Sequence, residues 1–140
     1  FLHPSMLAFD APSREECVAQ RSISNTPSAA LALLNDPSYV EAARTLAQNI
    51  LTQGGDNDEA RLRWAFRQSL SREPNADESA VLRELLKSHR AEFKSQQGDA
   101  QAALSIGLSK RPAKADPAEL AAWLSVARTL LNLNETITRN

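Results

Sequence analysis

Residues 116–133 read DPAELAAWLSVARTLLNL and form the most strongly apolar segment of the chain. Asp116 before Pro117 is a helix-start signal, because aspartate caps free backbone N–H groups and proline needs no N–H in the first turn. The apolar residues that follow recur at the three- and four-residue spacing of one helix face. They are Leu120, Trp123, Leu124, Ala127, Leu130 and Leu131. The segment therefore predicts a long helix whose apolar face belongs to the core.

The same start signal occurs twice more, earlier in the chain. Thr26-Pro27 precedes a short apolar run that ends near Leu34, and Asp36-Pro37 precedes a longer one. The longer run ends at Gly54-Gly55, and glycine is common just after a helix because it tolerates the left-handed backbone conformation. Its buried face is predicted to contain Val40, Ala43, Ala47 and Ile50.

The middle of the chain predicts two more long helices and a short one. One starts in the acidic run 56–59 and is broken by Arg72-Glu73-Pro74. The next starts at Asn75, with Glu78 three residues on at capping-box spacing, and is expected to end at Gly98,. A short alanine-rich helix then covers about 99–106. The helix that starts at Asn75 has a predicted inner face of Val81, Leu82, Leu85, Leu86, His89 and Phe93.

These patterns predict an all-α fold, a compact bundle of four main and two minor helices. Residues 24–140 are expected to form the helical domain, with an exposed loop near 107–115. Residues 1–23 lack helical periodicity and contain two prolines, so they predict an extended N-terminal arm,. His3, Met6, Leu7 and Phe9 are expected to dock this arm on the helical body or on another domain.

Composition excludes some classes and disfavours others. The 140 residues carry a formal net charge of only -1, whereas nucleic-acid-binding modules usually carry a basic excess,. Arginines at 61, 63, 67 and 72 resemble a basic patch, but acidic residues balance them, and Glu59 stands at ion-pair spacing from Arg63,. No apolar run is long enough to cross a membrane. Since the chain starts with Phe1, we expect it to be part of a longer protein.

Few residues are candidates for cofactor or catalytic chemistry. Covalent haem attachment needs C-x-x-C-H, which a chain with the single cysteine Cys17 lacks,. His3 and Met6 are the remaining haem-ligand candidates, and the acidic run lacks the spacing of a calcium loop. His89 fits a residue at the edge of the core better than a base, and Cys17 lacks the basic surroundings of a reactive thiol. We therefore expect no cofactor and no metal in this domain.

Three polar residues define the one candidate site. Arg14 and Arg21 lie in the arm, and Asp36 lies at the start of a helix that the arm precedes. They either satisfy backbone groups where the arm packs, or they converge in a polar site between the arm and the first helices.

The segment FDAPSREECVAQRSISNTPSAALALLNDPSYVEAAR, residues 9–44, resembles the opening of a known domain of unknown function. This is the planctomycete PSD-type domain, the C-terminal domain of multidomain proteins that also carry a cytochrome-c-like domain. The SREP run at 71–74 and the closing residues 119–139 are similar to the same family.

The resemblance implies an exported parent protein, with an extracytoplasmic location and with any haem on a different domain. It supplies no catalytic residue, since the family has no established activity. The leading hypothesis is a non-enzymatic helical module that packs against the other domains of its parent chain. The alternative is part of an enzyme site, carbohydrate-active or redox, completed at a domain boundary by Arg14, Arg21 or Asp36.

Overall fold

The computed structural model describes residues 8–9, 26–108 and 115–137. Within these residues the chain forms seven helices and no strand, which confirms the all-α class. Six of the helices are the four main and two minor ones that the sequence predicts, and the seventh is a short C-terminal addition. The helices are α1 Pro27–Asn35, α2 Pro37–Gln53, α3 Asp58–Leu70, α4 Ala76–Ser95, α5 Gln97–Leu104, α6 Pro117–Leu131 and α7 Asn134–Ile137.

The helix starts have the predicted capping chemistry. The side chains of Thr26, Asp36 and Asp116 each accept a backbone N–H, and each is followed by proline in the first turn. Asn75 and Glu78 form a full capping box at the start of α4, with hydrogen bonds of 2.8 and 2.7 Å. Such caps satisfy N–H groups that have no partner inside the helix, and each stabilises a helix by about 1 kcal/mol.

Helix α6 lies at the centre of the bundle. It packs most extensively against α2 and α4, and also against α5. Trp123 is completely buried, and so are Phe66 of α3, Ile50 of α2 and Leu86 of α4. The apolar segment that opened the sequence therefore forms the core around which the other helices pack.

The turn between α3 and α4 is built from the SREP run. Ser71 ends α3 in the left-handed conformation, with a φ of 59°. The Arg72 guanidinium then contacts Glu78 on α4 at 2.7 Å and Glu135 on α7 at 2.7 Å. It also lies 5.3 Å from the ring centre of Phe66. This single arginine thus links the turn to both α4 and the C-terminal helix.

Two predictions about α4 are wrong. Val81 is 66 % exposed, because the buried face of α4 runs through Ser79, Leu82 and Leu86 instead. Gly98 does not end the helix: α4 stops at Ser95, and Gly98 lies in the first turn of α5. Its open surroundings would accept a side chain, so the position places no demand on glycine.

The N-terminal segment is described at two residues only. The Phe9 ring lies 5.7 Å from the ring of Tyr39, in the first turn of α2. This contact supports docking of the arm on the helical body at that point. The proposed division into an arm, 1–23, and a helical domain, 24–140, stays a prediction. None of the described helices combines the length and apolarity that a membrane crossing requires.

Candidate functional site

The predicted polar site is placed only in part. Arg14 and Arg21 lie outside the described residues, as do His3, Met6 and Cys17. Asp36 is described, and one oxygen of its carboxylate accepts the backbone N–H of Ser38 at 2.9 Å. Its position is therefore explained by capping α2, and the convergence of the three residues stays a prediction.

His89 occupies the edge of the core, as predicted. Its Nδ1 lies 3.3 Å from the hydroxyl of Ser125 and 3.6 Å from a carboxylate oxygen of Glu92. A catalytic relay needs the base to contact the nucleophile with one ring nitrogen and the orienting acid with the other. Both neighbours here share the same nitrogen. The grouping is a polar contact between α4 and α6, and it lacks relay geometry.

Residues 57–59 of the acidic run at the start of α3 bind other groups of the protein. Asn57 caps the helix through Ala60, Asp58 binds Arg90, and Glu59 contacts Arg83 at 3.7 Å. The predicted pairing of Glu59 with Arg63 is wrong, because the long-range partner on α4 takes the carboxylate. Among the described residues, no group of three metal-binding side chains comes together.

Arg90 on α4 makes an ion-pair network with two carboxylates from other helices. Its guanidinium donates two hydrogen bonds to Asp58, at 2.6 and 2.7 Å, and two to Glu119, at 2.8 and 2.6 Å. Glu119 in turn accepts the indole N–H of Trp123 at 2.8 Å. Two-pronged pairing of this kind fixes geometry more strongly than a single contact. The network joins the first turns of α3 and α6 to the C-terminal half of α4.

The network keeps both carboxylates ionised. The hydrogen bonds from Arg90 lower the pKa of Asp58 below its ordinary value. Burial acts to raise the pKa of Glu119, but the hydrogen bonds from Arg90 and Trp123 outweigh it and the pKa is lowered. A group with this behaviour is a poor proton donor near neutral pH. Glu119 is therefore suited to fixing charge and position rather than to general acid catalysis.

A cleft with a volume of about 440 Å³ opens beside this network, between the end of α2 and the start of α6. Leu51 and Ala115 are the apolar lining residues that keep some exposure, and Glu119 is also among the lining residues. Its size falls within the range of small-molecule sites, which are mostly apolar with a few placed polar groups. We refer to it as the α2–α6 cleft. Its lining residues are Gln48, Asn49, Leu51, Thr52, Ala115, Asp116, Glu119 and Leu120.

A second feature is a set of exposed apolar side chains on the two segments that adjoin the first turns of α2. Leu108 is fully exposed and Ile106 is 38 % exposed, on residues 105–108, which follow α5. On the other side, Leu31 of α1 is 58 % exposed. Helix α1 is apolar on every side, a pattern typical of a helix that is covered all round, yet only its Ala29 is buried,. We call Leu31, Ile106 and Leu108 the apolar outer surface.

The backbone that carries Leu108 is held in place. Glu41 of α2 accepts the Leu108 N–H at 2.8 Å, and Arg44 donates to the carbonyls of Leu104 and Ile106. Gly107 has a φ of +99°, and a side chain there would collide with the Glu41 carboxylate. The loop therefore presents its apolar side chains from a defined conformation.

Arg44 and Arg90 were not anticipated as site residues. Arg44 is only 2 % exposed, and its signal in the sequence is its place between Val40 and Ala47 on the apolar face. Arg90 has a weaker signal, since it merely adjoins His89 on the predicted inner face. Its two partners could be recognised only as acids in helix first turns.

The fold and these sites define a helical domain in which Arg72 and Arg90 form ion pairs between different helices. A family model described as "Protein of unknown function (DUF1553)", PSD1, matches residues 1–86. Because this is more than half of the chain, the chain belongs to that family of proteins of unknown function. Comparison with curated proteins and with solved structures gave no match. The planctomycete origin, the cytochrome-c association and the similarity at 119–139 stay predictions.

Proposed function

We propose that this chain is a helical interaction module at the C-terminus of a larger exported multidomain protein. Its apolar outer surface is covered there by another domain of the same protein. The observation that carries this proposal is Leu108, a fully exposed leucine on a loop whose backbone is fixed by Glu41. Clustered apolar side chains at a surface are typical of an interaction site, and here the backbone that carries two of them, Ile106 and Leu108, is held by Arg44 and Glu41,.

The position of the surface supports an intramolecular partner. Leu31 precedes α2, and the 105–108 loop is held by residues in the first two turns of α2. Phe9, from the N-terminal segment, contacts Tyr39 at the same end of that helix. A domain that precedes this one in a longer protein would be joined through the N-terminal segment, and so would lie near this end.

The resemblance to exported multidomain proteins supports the remaining parts of the proposal. It favours an extracytoplasmic location, and it assigns any haem to a separate domain. The alternative, an enzyme site at a domain boundary, has less support, because the Asp36 carboxylate already caps α2 through Ser38.

Hydroxyl-radical footprinting tests the proposal. The full-length gene product and the isolated chain are oxidised side by side, and modification is quantified for single residues. We expect oxidation of Leu31 and Leu108 to fall severalfold in the full-length product, because a covered side chain reacts more slowly. Val81, which is 66 % exposed on α4, is the matched control and should react equally in both. Equal oxidation of Leu108 in both proteins, or a gene that encodes no further domain, would contradict the proposal.

A further inference from the structure

A polar groove with a volume of about 420 Å³ lies between α3 and α4, beside the turn that the SREP run forms. We call it the α3–α4 groove. All of its lining residues belong to the described part of the chain. The undescribed residues lie before α1, between α5 and α6, and after α7, so none of them adjoins a lining residue along the chain. The residues of the groove that matter below are Glu59, Arg63, Glu73, Ala76, Ser79 and Arg83.

Ser79 is a buried polar residue on the wall of this groove. It is only 7 % exposed, and its hydroxyl has no hydrogen-bond partner in the described part of the chain. The hydroxyl oxygen is not fully buried, and because Ser79 lines the groove, the oxygen is reached from there. Alanine would favour the helix more and would bury no polar group. Packing therefore gives no reason for a serine, and its hydroxyl is available to a bound molecule.

Two further hydrogen-bond donors of the groove have no partner within the described residues. The expected partner of Arg63, Glu59, contacts α4 at 3.7 Å instead, which leaves the Arg63 guanidinium unpaired. The N–H of Ala76, in the first turn of α4, is not used by the capping box, which binds the N–H groups of Asn75 and Glu78. A helix N-terminus attracts negative charge. A hydroxyl, a guanidinium and a backbone N–H are thus unpaired at one groove.

The carboxylates of the groove are already engaged. Glu59 pairs with Arg83, and Glu73 pairs with Arg67. Asp77, which follows Ala76, is exposed and is not among the lining residues. The groove therefore has unpaired donors but no unpaired carboxylate. Its two paired carboxylates still repel a ligand that carries more than one negative charge.

We propose that the α3–α4 groove binds small monocarboxylic acids. The ligand carboxylate accepts hydrogen bonds from the Arg63 guanidinium, the Ser79 hydroxyl and the Ala76 N–H. Hydrogen bonds to an ionised acceptor are stronger than those between neutral groups. The groove therefore selects a carboxylate over the neutral amide of the same shape, and over a dianion such as phosphate.

Three probes separate these preferences: butyrate, butyramide and inorganic phosphate. Each is titrated into the ¹⁵N-labelled chain at constant ionic strength, and the signals are followed by NMR. Butyrate should shift the Ala76 amide signal and the Arg63 Nε–H signal. For so small a ligand we expect a Kd of about 1 mM. Butyramide and phosphate should bind at least about tenfold more weakly, because one lacks the charge and the other is repelled.

Two variants and a control assign the binding to these residues. Ser79→Ala retains the fold, because alanine suits a buried helix position, and should weaken butyrate binding severalfold. Arg63→Gln should weaken it at least about tenfold. Lys87→Gln removes an exposed cation of α4 outside the groove and should change nothing. Absence of shifts at the groove, equal affinity for butyramide, or tighter binding of phosphate would overturn the proposal. An unchanged affinity in Ser79→Ala, or an equal loss in Lys87→Gln and Arg63→Gln, would overturn it as well.

Discussion

The indole N–H of Trp123 donates a 2.8 Å hydrogen bond to Oε1 of Glu119, one turn earlier on α6. The same oxygen accepts Nη2 of Arg90 on α4 at 2.6 Å. The largest buried side chain of the core is thereby joined to the ion-pair network that holds the first turn of α3. Glu119 therefore connects the packing of Trp123 in the core with the ion pairs of Arg90.

Truncation of Trp123 is expected to remove a large share of the stability. Trp123→Ala leaves a cavity and costs about 3–5 kcal/mol, out of about 5–15 kcal/mol for a domain of this size. Lys114→Ala, in the segment predicted to be a loop, should stay within about 0.5 kcal/mol of the wild type. Urea denaturation measures both. An unchanged midpoint for Trp123→Ala would show that this residue does not support the core.

Loss of the Arg90 guanidinium should destabilise the bundle by about 1–3 kcal/mol, because Asp58 and Glu119 both lose charged partners in a partly buried setting,. Arg90→Met keeps the apolar stem and removes only the charged head. Arg67→Met is the control, since the Arg67–Glu73 pair is well exposed and such pairs contribute about 0–1 kcal/mol,. Equal losses of unfolding free energy in the two variants would contradict this account.

The Arg90 network also predicts that the unfolding free energy depends on pH in the acid range. The pKa values of Asp58 and Glu119 are lowered by folding from ordinary values of 3.8 and 4.5. Their stabilising contribution is therefore fully present above those values, and it is lost as the pH falls through the lower folded pKa values.

Arg90→Met should accordingly lose less stability than the wild type between about pH 5 and pH 2. Glu78, whose pKa falls to about 2 through its hydrogen bonds with Arg72, titrates in both proteins and so cancels from the comparison. Urea midpoints measured across this pH range give the result. Parallel curves for the two proteins would show that the Arg90 network does not titrate as described.

Arg72, the arginine of the SREP run, should hold α7 against the turn between α3 and α4. Arg72→Lys cannot bind Glu78 and Glu135 with paired hydrogen bonds, so α7 should open more often,. Global stability should fall only slightly, since the pairs are exposed to solvent. Hydrogen exchange at the Thr136 and Ile137 amides should quicken, whereas Arg67→Lys should leave it unchanged. Equal exchange in both variants would exclude the tether.

The correction to α4 can be tested with neighbouring residues. Val81→Ser should change the unfolding free energy by less than about 0.5 kcal/mol, because Val81 is exposed,. Leu82→Ala should cost about 2–5 kcal/mol, because Leu82 is buried in the core,. A large loss for Val81→Ser would instead support the predicted inner face.

Helix starts were predictable because they depend on local chemistry. Thr26, Asp36 and Asp116 each stand before a proline, and their capping follows from groups within three residues,. Val81 was misplaced because Val81 and Leu82 are adjacent, and helical spacing cannot decide which of the two faces the core. The packing of α4 against α6 determines that Leu82, and not Val81, is buried.

The charged networks could not be predicted in the same way. Arg90 and Glu119 are 29 residues apart, and Arg72 and Glu135 are 63 apart. A single sequence contains no signal that pairs residues at such distances. Glu59 shows the consequence, since its expected local partner, Arg63, is replaced by Arg83 from the next helix.

The central claim is that the apolar outer surface is covered by another domain of a longer protein, and one thermodynamic cycle tests it most directly. Leu108→Asp is made in the isolated chain and in the full-length gene product. Hydrogen exchange at the buried amides of α6 then gives the unfolding free energy of this domain in each. We expect a change within about 0.5 kcal/mol in the isolated chain, and a loss of about 1–3 kcal/mol in the full-length product. The same effect in both proteins would contradict the claim.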